Sequence, residues 1–461
     1  MVKNHLSLFN YEQDFLNERT QFVLSRAKQM GADQVVVELS ESYGQSVSIR
    51  LRQLDTLERM QDQSLSISVF VGQQGKKGFS RGSASSADFS DRSILQAIEA
   101  AMAIAKHTEP DEFAGLPDED ALCLKPNVAD LDLFHPWHLS SEEAIEIAKR
   151  MEASALDDSP KITNSDGANV STSHGQFWLA NSLGFSHGYR FSRHALSVSV
   201  VAQEKDELQS QGWYVAMRSP EKLWSPEQVG KYAAERALAR LKGKKIKTQN
   251  CRVLFDPSTA CGLLGAFVQA TSGAALYRKS TFLLDALNTS VFASHVRIHE
   301  DPFVPQAMGS SPFDQEGVVV RPREVVSNGV LQGWFLSTYT ARKLGLKSTG
   351  HAGGSHNIYL TSTQTKPEDD FTAMLKRLGT GLLVTDLMGD SVNYMTGDYS
   401  RGASGFWVQN GEVVYPVEEI TIAGNLKDMF LNMEAIGADV INRGTKYVGS
   451  VLIPNMTVAG S

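Results

Sequence analysis

The stretch TGDYSRGASGFWVQNGEVVYPVEEITIAGNLKD, residues 396–428, sets turn glycines between short apolar runs and ends in a helix start. It contains no cysteine and no histidine, so it describes a shaped polypeptide surface without ready metal ligands. An edge strand around Gly405–Gln409 is expected to accept a peptide strand through main-chain bonds, with Phe406, Trp407 and Tyr415 offering apolar pockets. The alternative is that these aromatics fill a β core; if both readings hold, strand alternation places Phe406 and Trp407 on opposite faces.

Working outward, CRVLFDP (251–257) reads as a buried strand and STACGLLGAFVQATSGAALYRKS (258–280) as a helix of small residues. Strand and loop alternate afterwards, with Asn328-Gly329 in VVVRPREVVSNGVLQGWFLST a strong turn signal. PEDDFTAMLKRLG (367–379) is the one later helix. Residues 250–461 are therefore expected to form a mostly β domain, curved or barrel-like, with a few covering helices.

The chain before this point is different. Phe15, Phe22, Val23 and Ala27 fall at helical spacing with Gly31 as a stop, and QVVVEL (34–39) follows as a strand. SVSIRLRQLDTLER (46–59) and SLSISVFVGQQGKKGFSRGSAS (64–85) alternate, with QQGKKG as a hairpin turn. A helix opens at Ser90 with Ile94, Ile98, Met102 and Ala105 on one face. Residues 1–109 thus read as an N-terminal domain of α/β layers. A Pro- and Asp-rich passage marks a boundary, and residues 125–245 read as a second, α+β domain. It runs from a helix with capping-box spacing at Ser140 and Glu143, through alternating strands over 162–218, to a second helix over 225–243. The whole is an α+β protein.

At 461 residues the chain exceeds a usual single core. Forty-four basic against 52 acidic residues, a formal charge of −8, argue against direct nucleic-acid binding through phosphate neutralisation. The basic run LKGKKIK (241–247) reads as a solvated linker. No segment approaches the roughly 18–20 apolar residues of a membrane helix. The stretch MVKNHLSLFNYEQDF meets acids and amides too early for a signal-peptide core. Cys123, Cys251 and Cys261 lack CxxC spacing and fit a reducing compartment.

Several residues offer chemistry. His295 and His299 in SHVRIHEDP, with Glu300 beside the second, share a face if helical, but Pro302 restricts a helix there and a polar surface is the competing reading. His351 and His356 in TGHAGGSHN lie in a glycine-rich loop, read either as contacts to a substrate anion or as a structural turn. His187 and His194 read as satisfied strand or loop histidines. Ser400 lies near Asp398 and Arg401 without a GxSxG frame, so no catalytic triad is assembled. The glycines also lack P-loop spacing.

The 396–428 segment, and with it essentially the whole chain, resembles the TldD/PmbA family, specifically its PmbA (TldE) branch. The resemblance implies a cytoplasmic protein linked to metal-dependent proteolysis of unfolded or modified peptides. In the TldD branch the helix matching GLLGAFVQA (262–270) carries a histidine–glutamate pair and a second histidine that hold zinc and activate its water. Those positions fall here at Gly265, Ala266 and Ala270, and no cysteine follows Cys261 to supply the ligand expected near the C-terminus. The resemblance thus implies no catalytic residue or cofactor in this chain, zinc in a TldD-type partner subunit, and inactivity alone because HExxxH-type ligands are absent. It implies a heterodimer acting on unfolded peptides or peptide precursors, or a homodimer without the partner. His351, His356, Ser400, Arg401, Phe406 and Trp407 are the substrate-contact candidates. Two alternatives remain: a self-contained metallopeptidase with nonstandard ligands, and a non-enzymatic regulatory protein, since the family is also described as modulating DNA gyrase.

Overall fold

The computed structural model describes residues 8–124 and 130–460. The first seven residues of the amino-terminal stretch and the expected start of the middle domain at 125 lie outside them. Strands β1 (Gln34–Arg50), β2 (Gln53–Gly72), β3 (Phe79–Ser86), β4 (Ile162–Asn181), β5 (Ser186–Glu204) and β6 (Glu207–Met217) form one antiparallel sheet in the order β3-β2-β1-β4-β5-β6. The long β1–β4 ladder, from Val36↔Asn181 to Ile49↔Ala168, joins the first and middle parts of the chain into a single surface.

Helices α1 (Gln13–Gln29) and α2 (Asp91–His107) bury one face against one end of this sheet, around Leu16, Val23, Ile67, Ile94 and Ile98. Helices α3 (Ser141–Leu156) and α4 (Pro226–Ala239) cover the other end around Met151, Val170, Leu196 and Val229. Side-chain caps start three of the four: Ser90 caps α2 through the Ser93 amide, and Ser140 with Glu143 and Ser225 with Gln228 form complete capping boxes on α3 and α4. Helix α2 reaches β3 because Gly82 has no side chain; a Cβ there would lie 1.9 Å from the carbonyl oxygen of Ala101. Gly82→Ala is expected to lower stability by about 2 kcal/mol through forced separation of helix and strand. An unchanged urea midpoint would show that this contact relaxes freely.

The remainder comprises β7 (Gln249–Phe255), α5 (Pro257–Ala270), α6 (Gly273–Tyr277), β8 (Val296–Asp301), β9 (Arg323–Ser327), β10 (Val330–Leu331), α7 (Thr338–Lys343), β11 (Asn357–Ser362) and α8 (Phe371–Leu378). There follow β12 (Gly381–Asn393), β13 (Asp398–Gln409), β14 (Glu412–Asn425), α9 (Leu426–Leu431), β15 (Ala435–Ile436), β16 (Ile441–Arg443), β17 (Lys446–Val448) and β18 (Val451–Ala459). Strands β14-β13-β12-β7-β18 close into a five-stranded barrel through the β14–β18 pairing, with β15 added to β18. The C-terminal part is thus β-rich and barrel-forming, as its glycine-punctuated alternation predicts. A second sheet, β10-β9-β8-β11-β17-β16, lies in the same region. One face of the barrel strands joins α5 in the largest core, and Leu254, Leu383 and Leu452 on the other face pack under α8.

The expected free edge at Gly405–Gln409 does not exist. Strand β13 pairs with β12 over Gly405–Val408 on one side and with β14 over Gly405–Gln409 on the other, so it is an interior strand there. Phe406 packs with the Leu254 and Leu383 cluster and Trp407 against the main core, on opposite faces as alternation requires.

Candidate metal centre and cleft

Strand β8 alternates inward and outward, and Val296, Ile298 and Glu300 are its buried positions. The third of these places a carboxylate where the pattern reserves an apolar side chain. A buried charge needs partners, and the neighbouring chain supplies four bonds. His356, just before β11, donates its backbone N–H to Glu300 Oε1 at 2.6 Å, and its Nδ1 lies 3.2 Å from the same oxygen. His351 Nε2 lies 2.8 Å from Glu300 Oε2, and Arg323 Nε donates to that oxygen at 3.0 Å. Gly350, Gly353 and Gly354 all have positive φ, which folds the loop sharply enough to return both histidines to one carboxylate.

Burial by itself pushes the Glu300 carboxyl up, but the hydrogen bonds from His351 and His356 and the charge of Arg323 prevail and hold it well below the usual range. Burial lowers His351; its bond to Glu300 opposes this and Arg323 adds to it. Thr349 Oγ1, 2.9 Å from His351 Nδ1, orients the ring so that Nε2 faces Glu300.

One ligand atom from each of Glu300, His351 and His356 lies within 4.8 Å of the others. Two imidazoles and a carboxylate, all buried, are a suitable donor set for a divalent transition metal. Arg323 is the competing cation: its Nη2 lies 3.2 Å from His351 Nε2, while Nη1 donates to the Trp334 carbonyl at 2.8 Å and the guanidinium rests on Phe335. Glu300, His351 and His356 would hold such a metal, which would compete with Arg323 for Glu300 Oε2.

This cluster corrects two expectations. Ligands are not simply absent from the chain, so inactivity alone does not follow from the missing HExxxH residues, and a potential cofactor site lies in this chain rather than only in a partner. The set is built from a strand and a loop instead of a helix.

His356 and the Gly353–Ser355 turn also line a cleft of about 880 Å³ between the large sheet and the loops at 308–315 and 352–356. Glu38, Arg81, Gln176 and Arg218 supply polar groups from the sheet side and its flank. Asp314, on the opposite wall, is pushed up to about 6 by burial and by Glu316, against three backbone N–H bonds.

The other residues singled out in the sequence lie elsewhere. Ser400 is exposed on β13 beside Asp398 in a separate hollow, and Arg401 faces a third, where it donates to the Gly389 carbonyl. Gly265 is half-buried on α5 under the Lys446 side chain, and Ala266 and Ala270 are buried in the main core. His295 and His299 are not on a helix: His295 bridges Ser362 and the Met433 carbonyl, and His299 stacks on Tyr359. His194 is buried and bonded to the His135 carbonyl, and His187 packs on Phe185. The partner that sequence reasoning left out of the His351/His356 pair is Glu300. Its signal was the inward phase of the alternation in VRIHED.

A buried His–His–carboxylate group thus lies beside a cleft walled by the large sheet and by the loops at 308–315 and 352–356. The chain matches the descriptions PmbA/TldA metallopeptidase domain 1 over residues 35–105, central domain over 134–241 and C-terminal domain over 248–460. It belongs to the PmbA/TldD family. It is 44% identical to Metalloprotease PmbA of Escherichia coli O157:H7, over 96% of this chain and 95% of that one, and 41% identical to the Metalloprotease PmbA homolog of Haemophilus influenzae, over 100% and 99%. A crystal structure from Bacteroides thetaiotaomicron, described as a candidate modulator of DNA gyrase, superposes with a TM-score of 0.90 at 25% identity, covering 97% of this chain and 99% of that one. TldE from Thermococcus kodakarensis shares the fold, with a TM-score of 0.82 at 19% identity over 96% and 100%. No helix among the described residues is long and apolar enough to cross a membrane.

Proposed function

We propose that this chain is a cytoplasmic metallopeptidase of the PmbA branch, acting on unfolded peptides or peptide precursors together with a TldD-type subunit, and that Glu300, His351 and His356 are its own nonstandard metal ligands. The observation that carries the reading is the convergence of these three ligand atoms within 4.8 Å, with His356 on the wall of the cleft. Family membership and the metalloprotease names of the relatives support the peptide-bond chemistry.

A divalent ion bound there would polarise a peptide carbonyl or lower the pKa of a water. The protein's own part is separate. Glu300 supplies negative charge, Thr349 holds the His351 ring, and His356 links the buried group to the cleft. Asp314 is the proton-transfer candidate on the same cleft, since a carboxyl titrating near 6 can both give and take a proton near neutral pH.

Metal-stripped protein reloaded with zinc is expected to retain about one ion per chain, and the His351→Ala/His356→Ala variant to retain almost none. Cleavage of an unfolded peptide, by this chain alone and mixed with a TldD-type subunit, is the accompanying assay. Equal metal retention by wild type and variant would remove the site.

A further inference from the structure

A different cleft, of about 860 Å³, opens where β4–β6 of the large sheet meet the barrel and α5. Its floor carries small polar side chains, among them Ser197, Ser199 and Ser210, and its wall carries Arg236, Arg401 and Arg443. Two of these cations gather on one indole: the guanidinium carbons of Arg443 and Arg236 lie 3.9 and 5.3 Å from the Trp213 ring. Such clustering of like charge is unfavourable unless something negative is met there.

Asp166 and Asp386 line the same cleft, but neither lies within ion-pair distance of the three arginines. Among the described residues the only carboxylate within that distance is Asp256, whose Oδ2 is 3.9 Å from Arg236 and already accepts from the Ser258 hydroxyl. Asp166 accepts from Ser199 and Ser210, and Asp386 from Gln211. Arg443 Nη1 donates to the Tyr214 carbonyl at 2.9 Å and Arg236 Nη2 to the Thr385 carbonyl at 3.1 Å, both neutral acceptors. The buried Nε atoms of Arg236 and Arg401 have no partner among the described residues. In an adjoining cavity that shares Gln211, Arg236 and Thr385, Arg240 is 6% exposed and feels the charges of Asp386 and Glu418, but its Nε and Nη1 have no hydrogen-bond partner among the described residues.

We propose that this cleft is an oxyanion site that takes the carboxylate end of a peptide on Arg236, Arg401 and Arg443. Guanidinium forks match a carboxylate through paired N–H bonds. The volume far exceeds a lone tetrahedral anion, and β6, which contributes Ser210–Tyr214 to the lining, is the last strand of its sheet and among the described residues pairs only with β5, its Tyr214 carbonyl being taken by Arg443. A peptide thus finds hydroxyls and a strand edge beyond the arginines. The inference rests on the peptide ligand of the proposed function but not on its metal.

The test uses the full-length, metal-stripped chain and a fluorescent octapeptide with a free C-terminal carboxylate, compared by anisotropy with its C-terminal amide. The free acid is expected to bind at least about tenfold more tightly, with inorganic phosphate competing. Arg401→Gln/Arg443→Gln, verified as folded by an unchanged urea midpoint, is expected to erase the difference. The acid–amide comparison in wild type needs no variant and stands if the variant misfolds. Equal binding of acid and amide overturns the proposal, and phosphate binding without that discrimination assigns the site to free oxyanions and overturns the peptide ligand. Because binding is read without metal, failure of the metal centre leaves these outcomes intact.

Discussion

Glu300→Ala is expected to cost about 3–5 kcal/mol in the metal-free protein, measured by urea denaturation near neutral pH. The side chain is wholly buried, and both oxygens are used: Oε1 by the His356 backbone and ring, Oε2 by His351 and Arg323. Removal leaves Arg323 as a largely buried cation with no carboxylate, and the His356 N–H without its acceptor. The loss therefore reflects stranded partners more than the worth of any one bond. Arg323→Met in the Glu300→Ala background is expected to recover part of it, because the orphaned charge is gone. A single-variant cost below about 1 kcal/mol would mean that water reaches the site and the network is not a closed, charge-balanced unit.

Acidification is expected to destabilise the N-terminal half before ordinary carboxylates titrate. His174 and His194 lie side by side with ring centroids 5.3 Å apart, each at most 1% exposed. Burial first, then the neighbouring His194 and His138, lowers His174 from 6.5 to about 4, and burial lowers His194 as well. His174 Nε2 accepts from the Trp137 amide, which matches a neutral ring. The unfolded chain takes up a proton near pH 6.5 and the folded chain only near 4. Between those values the unfolded state holds more protons, so stability is greatest above 6.5 and falls as pH drops through the window, by about 3 kcal/mol from His174. His138 and His194 oppose the imidazolium, and a backbone hydrogen bond at Tyr43, which favours it, is outweighed by burial and by these two rings. His174→Gln, which keeps an acceptor but does not titrate, is expected to flatten the dependence of denaturation midpoint on pH. A slope unchanged by that substitution would place the acid sensitivity elsewhere.

What the sequence reveals here is governed by range. Helices α2, α3 and α4 are legible because their caps and apolar stripes lie within a few turns of chain, and the hairpin at Asn328-Gly329 because its φ values of 49° and 78° demand those residues. The β character of the last part shows in its alternation. Closure of the barrel does not, since it depends on β7 meeting both β12 and β18, over distances that no local pattern encodes. The same limit explains the error at Gly405–Gln409: a strand reads the same whether one or both edges are paired. His351 and His356 stand out by spacing, but their partner Glu300 is brought to them by the β8–β11 ladder. A motif-based search sees a missing helix motif where the fold has assembled donors from two separated segments.

The closed barrel has a consequence for synthesis on the ribosome. Strand β18 lies between β7 and β14, so β7, made some two hundred residues earlier, waits for residues 451–459 to leave the tunnel before its antiparallel neighbour exists. Until then the nascent chain displays unpaired strand edges at both sides of the gap, a state open to mispairing with other chains. The arrival of β18 ends that exposure, which makes the interval between the synthesis of β14 and that of β18 a time when the barrel strands need protection from their neighbours.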